Sequence, residues 1–428
     1  MRFLGIGESC DLGSVYHRLA RDGHDVKVHI ADERCADTFD GIVQKSSHWK
    51  ADLDWVGKDG IILFESVLGG VGAAQDELRR IGYRVIGGCA FGDQLENDRP
   101  FAQDILAAHG FQVAPHWSFE GAAEAAEFAR RQPARYVLKF NGYGSMSTVV
   151  GMMDDGSDII VMLEHLSRSL EQEPRIVLTK HIDGVEMGIG AYFTGQRFMR
   201  PACLDWEHKR FFPGGLGELT PEMGTPVTFD RSNRFFDLTL GKLAGLLREK
   251  KYQGYINLNT IVNDDGIWPL EFTCRFGYPG SAILESLQRS SWADIFESML
   301  ADGDRFETRS GFSVGVVVTV PPFPYSRRQI PEPVGVPIHF NPPLNPAEQS
   351  HIHLGEVKLD GATLVTSGMY GWTMVVTGTG STIVQAQKNA YDLLSKLVLA
   401  NSRYRNDIGN DLATREFSII EKLGLLDG

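Results

Sequence analysis

No stretch of the sequence approaches the ~18 consecutive apolar residues of a membrane-spanning helix. The chain begins Met1-Arg-Phe-Leu-Gly-Ile-Gly, which reads as a strand and carries no secretory apolar region. Cysteine is scarce: Cys10, Cys35, Cys89, Cys203 and Cys274 are odd in number, scattered, and free of CxxC or zinc-type spacing. Reduced thiols in a soluble, cytoplasmic protein are therefore expected. Basic residues are in deficit, 42 against 55 acidic, for a formal charge of -13. That balance argues against a nucleic-acid footprint spread over the whole surface, but not against a local basic pocket for phosphates. Internal repeats, low-complexity tracts and the Walker A order G-x-x-x-x-G-K-[ST] are also missing.

What is present is an ordinary globular composition, 43% hydrophobic and 23% charged over 428 residues. Such a length suits about two to four domains. Residues 1–100 alternate strand signals (Arg2–Ile6, Asp25–Ile30, Gly60–Glu65, Tyr83–Ile86) with helical ones (Leu12–Asp22, Ala73–Ile81). This order predicts an α/β unit on a parallel sheet. The loop GIGESCDLG opens as G-x-G but puts Glu8 where a dinucleotide fingerprint needs bare backbone. It reads as a dinucleotide turn, as a plain tight turn, or as one wall of a substrate pocket at the strand ends. Glu65, Gly69, Gly70 and Gly72 would line that pocket.

Further helices are expected at Phe101–His109, Gly121–Arg131, Asp158–Leu170, Arg231–Lys250, Leu284–Asp302 and Ser381–Leu399, the last capped by Ser381 or Thr382. Tyr136–Lys139 reads as a strand running into the loop FNGYGSMST, and Thr148–Met153 as the strand that leaves it. Backbone N–H groups and hydroxyls of such a loop can close over phosphates with Lys139 at its mouth; a plain glycine-turn hairpin is the other reading. The strand RIVLTK, ending at Lys180, and Glu186 beyond it suit an adenine platform and a ribose acceptor, or an exposed loop acid. In CLDWEHKR, the tandem cations His208, Lys209 and Arg210 suit an anionic substrate or a solvated charge run.

The densest chemistry lies in WPLEFTCRFGYPGS, Trp268–Ser281. Strand alternation puts Glu271, Thr273 and Arg275 on one face, with Phe272 and Cys274 on the other. A carboxylate for a hard metal beside an arginine for an anionic group is what phosphoryl chemistry needs. A half-buried strand with an internal Glu–Arg pair is the alternative. The turn Asn263-Asp-Asp-Gly266 predicts a hairpin with Tyr255–Val262, which sets Asn257 and Asn259 beside Glu271 and Thr273. Their oxygens can share a Mg²⁺ and leave room for phosphates. Cys274, on the core face, reads as a small hydrophobe rather than a nucleophile.

Together with IGGCAFGDQLE (Ile86–Glu96), LDWEHKR, EFTCRFGYP, STIVQAQKNAY (Ser381–Tyr391) and YRNDIG (Tyr404–Gly409), in this order and spacing, the chain resembles the glycinamide ribonucleotide synthetase family of the ATP-grasp superfamily, nearly end to end. The resemblance implies an α/β ATP-grasp fold. It has an N-terminal parallel-sheet (pre-ATP-grasp) domain at 1–100, an ATP-grasp domain at 101–310 with a lid at about 116–185, and a small C-terminal α+β domain at 311–428. It implies a carboxylate–amine ligase that forms an amide through an acyl phosphate, with ATP and Mg²⁺ (or Mn²⁺). Its partners would be small-molecule carboxylate and amine substrates, with no nucleic acid or membrane, in a monomer or homodimer. On ATP it places Arg99, Lys139, Gly144, Ser145, Ser147, Lys180 and Glu186; on the metal, Glu271, Thr273 and Asn259. At the reacting groups it places Arg275 and Lys209, and on the substrates Glu8, Ser9, Glu65, Ser66, Asp205, His208 and Arg210.

Departures from the family pattern cluster where substrates would sit. The Gly-Gly-Arg-Glu-His loop reads Glu8-Ser9-Cys10-Asp11, and Gly-Pro-Glu-Ala-Pro reads Phe64-Glu65-Ser66-Val67. The lid's Ala-Gly-Lys-Gly reads Gly144-Ser145-Met146-Ser147, and the Gly-Gly-Arg turn reads Gly368-Met369-Tyr370. Thr273 replaces a metal-binding asparagine, and Arg99 a lysine. Altered substrates are the expectation; a phosphoribosylamine–glycine ligase and a non-catalytic ATP-binding protein are the alternatives.

Overall fold

Five short strands open the chain: β1 Arg2–Gly7, β2 Asp25–Ile30, β3 Gln44–Lys45, β4 Ile61–Phe64 and β5 Arg84–Ile86. All pair in parallel, in the order β3-β2-β1-β4-β5. β1 and β4 are buried along nearly their whole length, as their apolar runs require in a sheet covered on both faces. The strand order reverses between β1 and β4, so the loops after them flank a crevice. The computed structural model describes residues 1–140, 148–169, 175–304 and 306–427.

A four-stranded antiparallel sheet follows, β6 His116–Phe119, β7 Tyr136–Phe140, β8 Thr148–Val150 and β9 Ile176–Lys180, in the order β6-β9-β7-β8. Helix Ala122–Arg131 packs Ala122, Ala125, Ala126 and Ala129, a single helical stripe, into a core of its own with Leu138, Ile159 and Leu163. β7 and β8 pair with Lys139 opposite Thr148, the expected hairpin arms. Gly144, Ser145 and Ser147 lie outside the described residues.

The remaining strands are β10 Val185–Phe193, β11 Cys203–Asp205, the small hairpin β12 Arg210–Phe212 and β13 Leu216–Leu219, β14 Gly224–Thr228, β15 Gly254–Asn263 and β16 Gly266–Thr273. They continue with β17 Phe312–Thr319, β18 His339–Phe340, β19 Ile352–Leu354, β20 Val357–Asp360, β21 Thr363–Thr366, β22 Trp372–Gly380 and β23 Leu397–Val398. Eight of them form one antiparallel sheet, β16-β15-β10-β11-β14-β17-β22-β19. β16 is its outer strand, which is why Pro269, with no N–H to give, is tolerated there. The β15–β16 hairpin turns at Asn263 and Gly266 and sets Asn259 opposite Glu271 and Asn257 opposite Thr273. Thr260 pairs with Pro269, so Leu270 is one residue in excess and forms a bulge.

Two expected long helices are broken. Arg231–Lys250 divides into Asn233–Leu238, a 3₁₀ turn Leu240–Leu243 and Ala244–Glu249. The break is Thr239, at φ -126° and ψ -105°, whose hydroxyl bonds back to the Phe235 carbonyl at 2.5 Å. Leu284–Asp302 divides into Gly280–Glu285 and Trp292–Leu300. Between them, Ser286 bonds Ser313 at 2.7 Å and Gln288 bonds the Tyr192 hydroxyl at 2.5 Å, tying the connection to the sheet. The late helix runs Ile383–Leu394 and is capped by Thr382, whose side chain accepts from the Gln385 N–H. Among the described residues no helix is long and apolar enough to cross a membrane.

Candidate active site

One face of the eight-stranded sheet floors a cavity of about 490 Å³. Successive strands supply its polar lining: Glu271 and Thr273 on β16, Asn257 and Asn259 on β15, Asp205 on β11, Thr225 on β14. β10 runs through the middle with glycine at two successive inward positions, Gly188 opposite Asn259 and Asp205, Gly190 opposite Asn257 and Cys203. A Cβ at Gly188 would lie 2.1 Å from Asp205 Oδ1, and one at Gly190 1.8 Å from the Tyr255 hydroxyl. The glycines let side chains from either neighbour close over β10, and Asn257 Nδ2 donates to Asp205 Oδ2 across it at 2.6 Å.

At the rim of this floor, Lys209 Nζ meets Glu271 at 3.0 Å, Glu207 at 3.2 Å and Glu186 at 3.3 Å. Asn259 Nδ2 donates to Glu186 at 2.7 Å, and Arg99 Nη2 reaches the second oxygen of Glu271 at 2.9 Å. Lys209 and Arg99 hold the Glu271 carboxyl down at about 2. Burial works against the Lys209 charge, but Glu271, Glu207 and Glu186 outweigh it and lift its pKa well above the usual value. Lys209 and Glu271 are therefore both charged at neutral pH, while burial raises the pKa of Glu207.

The alternative reading of this stretch, an internal Glu271–Arg275 pair, is not made. The chain leaves the sheet after Thr273, and Glu96 captures the bend: it accepts from the Cys274 N–H at 2.6 Å and from Arg275 Nε at 3.0 Å. Arg275, Thr273, Glu96 and Tyr278 all line the cavity, and Cys274 is fully buried away from it. Asp11, from the loop after β1, acts electrostatically on both Arg275 and Tyr278.

Other anticipated residues are not in the cavity wall. Lys139 is half-buried in β7 and Lys180 exposed at the end of β9. Glu8 is exposed, Ser9 donates to Asp11 at 2.7 Å, and Ser66 accepts from the Leu68 N–H at 3.0 Å. Glu65 is 2% exposed, facing the Tyr16 hydroxyl and the Leu12 and Asp11 amides; burial, reinforced by Asp11, pushes its carboxyl up to about 7.

His208 and Arg210 belong to a scaffold. His208 Nε2 accepts from the Gly409 N–H at 3.2 Å, and Arg405 donates to the Arg210 carbonyl at 3.0 Å while its other nitrogens grip Asp407 at 2.6 and 2.7 Å. Tyr391, from the late helix, donates to the Arg405 carbonyl at 2.9 Å and accepts from the Ile408 N–H at 3.1 Å. Three sequence motifs thus brace one another and fix the segment that carries Lys209. Arg405→Ala should cost about 3 kcal/mol, because it removes a buried guanidinium that pairs with the half-buried Asp407 carboxylate and donates to the Arg210 carbonyl. A lower thermal midpoint and faster protease cleavage within residues 208–217 are the expected results.

Glu207, Glu222 and Tyr278 were not singled out from the sequence, and Glu96 only as the end of a motif. Glu207 lies inside LDWEHKR, where its place directly before His208, Lys209 and Arg210 was a usable signal; Glu222 sits in an aperiodic loop and gave none. Among the described residues no group of three or more His, Cys, Asp and Glu is arranged to hold a metal. Mg²⁺ needs less than that, since it takes most of its ligands from water and phosphate. Glu271, with 46% of its side chain exposed, and the oxygen of Asn259, whose Nδ2 is engaged, are a fitting donor set.

Residues 97–281 match the family described as the phosphoribosylglycinamide synthetase ATP-grasp (A) domain. The chain is similar to the phosphoribosylamine–glycine ligase of Salmonella typhimurium, 27% identical over 385 residues, 87% of this chain and 86% of that one. In fold it is similar to the phosphoribosylamine–glycine ligase of Thermotoga maritima, with a TM-score of 0.71 and 20% identity over 95% of this chain and 100% of that one. It is also similar in fold to the biotin carboxylase domain of the Hydrogenobacter thermophilus 2-oxoglutarate carboxylase, solved with MgADP and bicarbonate, with a TM-score of 0.65 and 9% identity over 98% and 97% of the two chains.

Proposed function

We propose that this chain, an ATP-grasp ligase of the glycinamide ribonucleotide synthetase family, joins a small carboxylic acid to an amine, on substrates that differ from those of its relatives. The observation that carries the reading is the single ammonium of Lys209 held among Glu186, Glu207 and Glu271 beside Arg99, over a cavity that also receives Arg275. A ring of fixed charge of both signs is what a phosphoryl transfer uses to stabilise charge as it develops.

In this reading the acid's carboxylate oxygen attacks the γ-phosphorus of ATP, ADP leaves, and an acyl phosphate remains. The amine then attacks the acyl carbon, the C–N bond forms, and phosphate departs. Lys209 and Arg275 lie against the transferring group, and Glu186 accepts from a ribose hydroxyl. Lys139, on its separate sheet, meets the phosphates from the other side and closes out water that would hydrolyse the acyl phosphate. Glu271 and Asn259 would hold Mg²⁺, which when bound neutralises triphosphate charge.

Two of the positions that depart from the family pattern, Arg99 and Thr273, line the cavity, and this supports altered substrates. A phosphoribosylamine–glycine ligase is the second reading, favoured by the 27% identity over 86% of the Salmonella protein's length. Rescue of a purine auxotroph lacking that enzyme would establish it. The ligase reading itself is tested by ADP release over a panel of acids and amines. Release that needs both partners is expected; ATP binding without ADP release for any pair would overturn it.

A further inference from the structure

Asp205 and Glu222 both line the cavity and are only 7% and 8% exposed. Asp205 Oδ2 takes one hydrogen bond from Asn257, and its Oδ1 has no partner among the described residues. Glu222 takes a hydroxyl from Thr225. The cation that acts on both, Lys209, is already shared among Glu186, Glu207 and Glu271. Burial first, and then Glu207, raises the pKa of each carboxyl, so this side of the cavity is short of positive charge. An alkylammonium ion suits it, because its three N–H donors can address carboxylates on separate segments.

Behind Tyr278 the structure disfavours an anion. Tyr278 stacks on Trp372 with ring centres 5.3 Å apart. The backbone N–H groups of Met369, Tyr370, Gly371 and Trp372 converge into a nest of the kind that binds anions. That nest is filled by the protein's own Glu356, 4% exposed, which accepts from Met369 at 2.8 Å, Tyr370 at 2.9 Å and Trp372 at 3.1 Å.

We propose that Asp205 and Glu222 form the docking subsite for the amine substrate, bound as an unphosphorylated alkylammonium ion. The inference rests on the ligase reading for the role of the amine, but its test needs no turnover. Saturation-transfer NMR on the full chain without ATP would compare ethanolamine, O-phosphoethanolamine and ethylene glycol. Ethanolamine is expected to bind and the other two are not. Glu222→Gln and Asp205→Asn should each weaken ethanolamine at least about tenfold, the worth of a hydrogen bond to a charged group, and Glu222→Asp should largely restore it. ATP affinity and the thermal midpoint, measured on each variant, identify any that fails to fold. Absence of ethanolamine binding, equal binding of its phosphate ester, or undiminished binding in both folded variants would overturn the subsite. Ethanolamine binding with no ADP release for any pair would sink the ligase reading and leave the cation site standing. ADP release with amine binding untouched by either variant would do the reverse.

Discussion

Lys209→Met is expected to lower acid- and amine-dependent ADP release by about 10²–10³-fold, the scale of losing one fixed charge aimed at a transition state. Steady-state ADP production with saturating ATP reads the effect directly. The loss should fall on kcat more than on the KM for the amine, because Lys209 meets Glu186, Glu207 and Glu271 rather than the Asp205–Glu222 side. Stability should fall too, since the carboxylates would face one another with Arg99 alone on Glu271. The pH dependence has a defined sign. The Lys209 pKa is raised in the folded state, so its contribution is fully present below the usual lysine value and is lost only in strong alkali. The Glu271 pKa is depressed to about 2, so its contribution is present above the usual carboxylate range and lost only as acid approaches that value. Undiminished turnover in the variant would remove Lys209 from the phosphoryl site.

Gly190→Ala carries the second large effect. Its Cβ would stand 1.8 Å from the Tyr255 hydroxyl and 3.0 Å from Asn257 Nδ2. Tyr255 cannot swing clear, because its ring packs on Tyr192 at 5.4 Å and Phe276 at 6.1 Å. Overpacking of this kind costs about 1–3 kcal/mol. Here it would also push Asn257 off Asp205, so activity should fall with stability. Gly245→Ala is the control: in the helix Ala244–Glu249 an added Cβ meets nothing within 4 Å, and the midpoint should hold or rise. Equal behaviour of the two variants in calorimetry would show that the β10 glycines do not hold the cavity floor open.

Where local chemistry specifies geometry, the sequence was readable. The Asn263-Asp-Asp-Gly266 turn announced the hairpin that brings Asn257 and Asn259 beside Glu271 and Thr273, while the register itself, Asn259 opposite Glu271 and Asn257 opposite Thr273, depends on the bulge at Leu270. The N-terminal parallel sheet followed from strand and helix alternation. The resemblance named motifs without saying why they go together. Contacts of Arg405 with Arg210, Gly409 with His208 and Tyr391 with Arg405 supply the reason.

What was not readable depends on distant packing. Nothing in Leu219–Thr225 announces that Glu222 will be buried beside Asp205, because the approach is made by β11 and β14 pairing. The Glu271–Arg275 pair failed because alternation ends where the strand ends, and Glu96, from helix Ala90–Asn97, takes Arg275 instead. The helix at 231–250 was over-read because apolar spacing continues across Thr239, whose hydroxyl competes for the backbone.

The surplus residue at Leu270 has a consequence for how the hairpin can change. The turn and the carboxylate are written in different frames: counting evenly back from Gly266 would set Leu270, not Glu271, opposite Asn259. A slip that closed the bulge would turn Glu271 toward the core and an isobutyl group toward the cavity. Loss of Leu270 would leave Glu271 in phase, whereas one further residue between Gly266 and Glu271 would need a second bulge. The carboxylate's position is thus set by residue count as much as by residue type, and length variation in this hairpin is tolerated in one direction only.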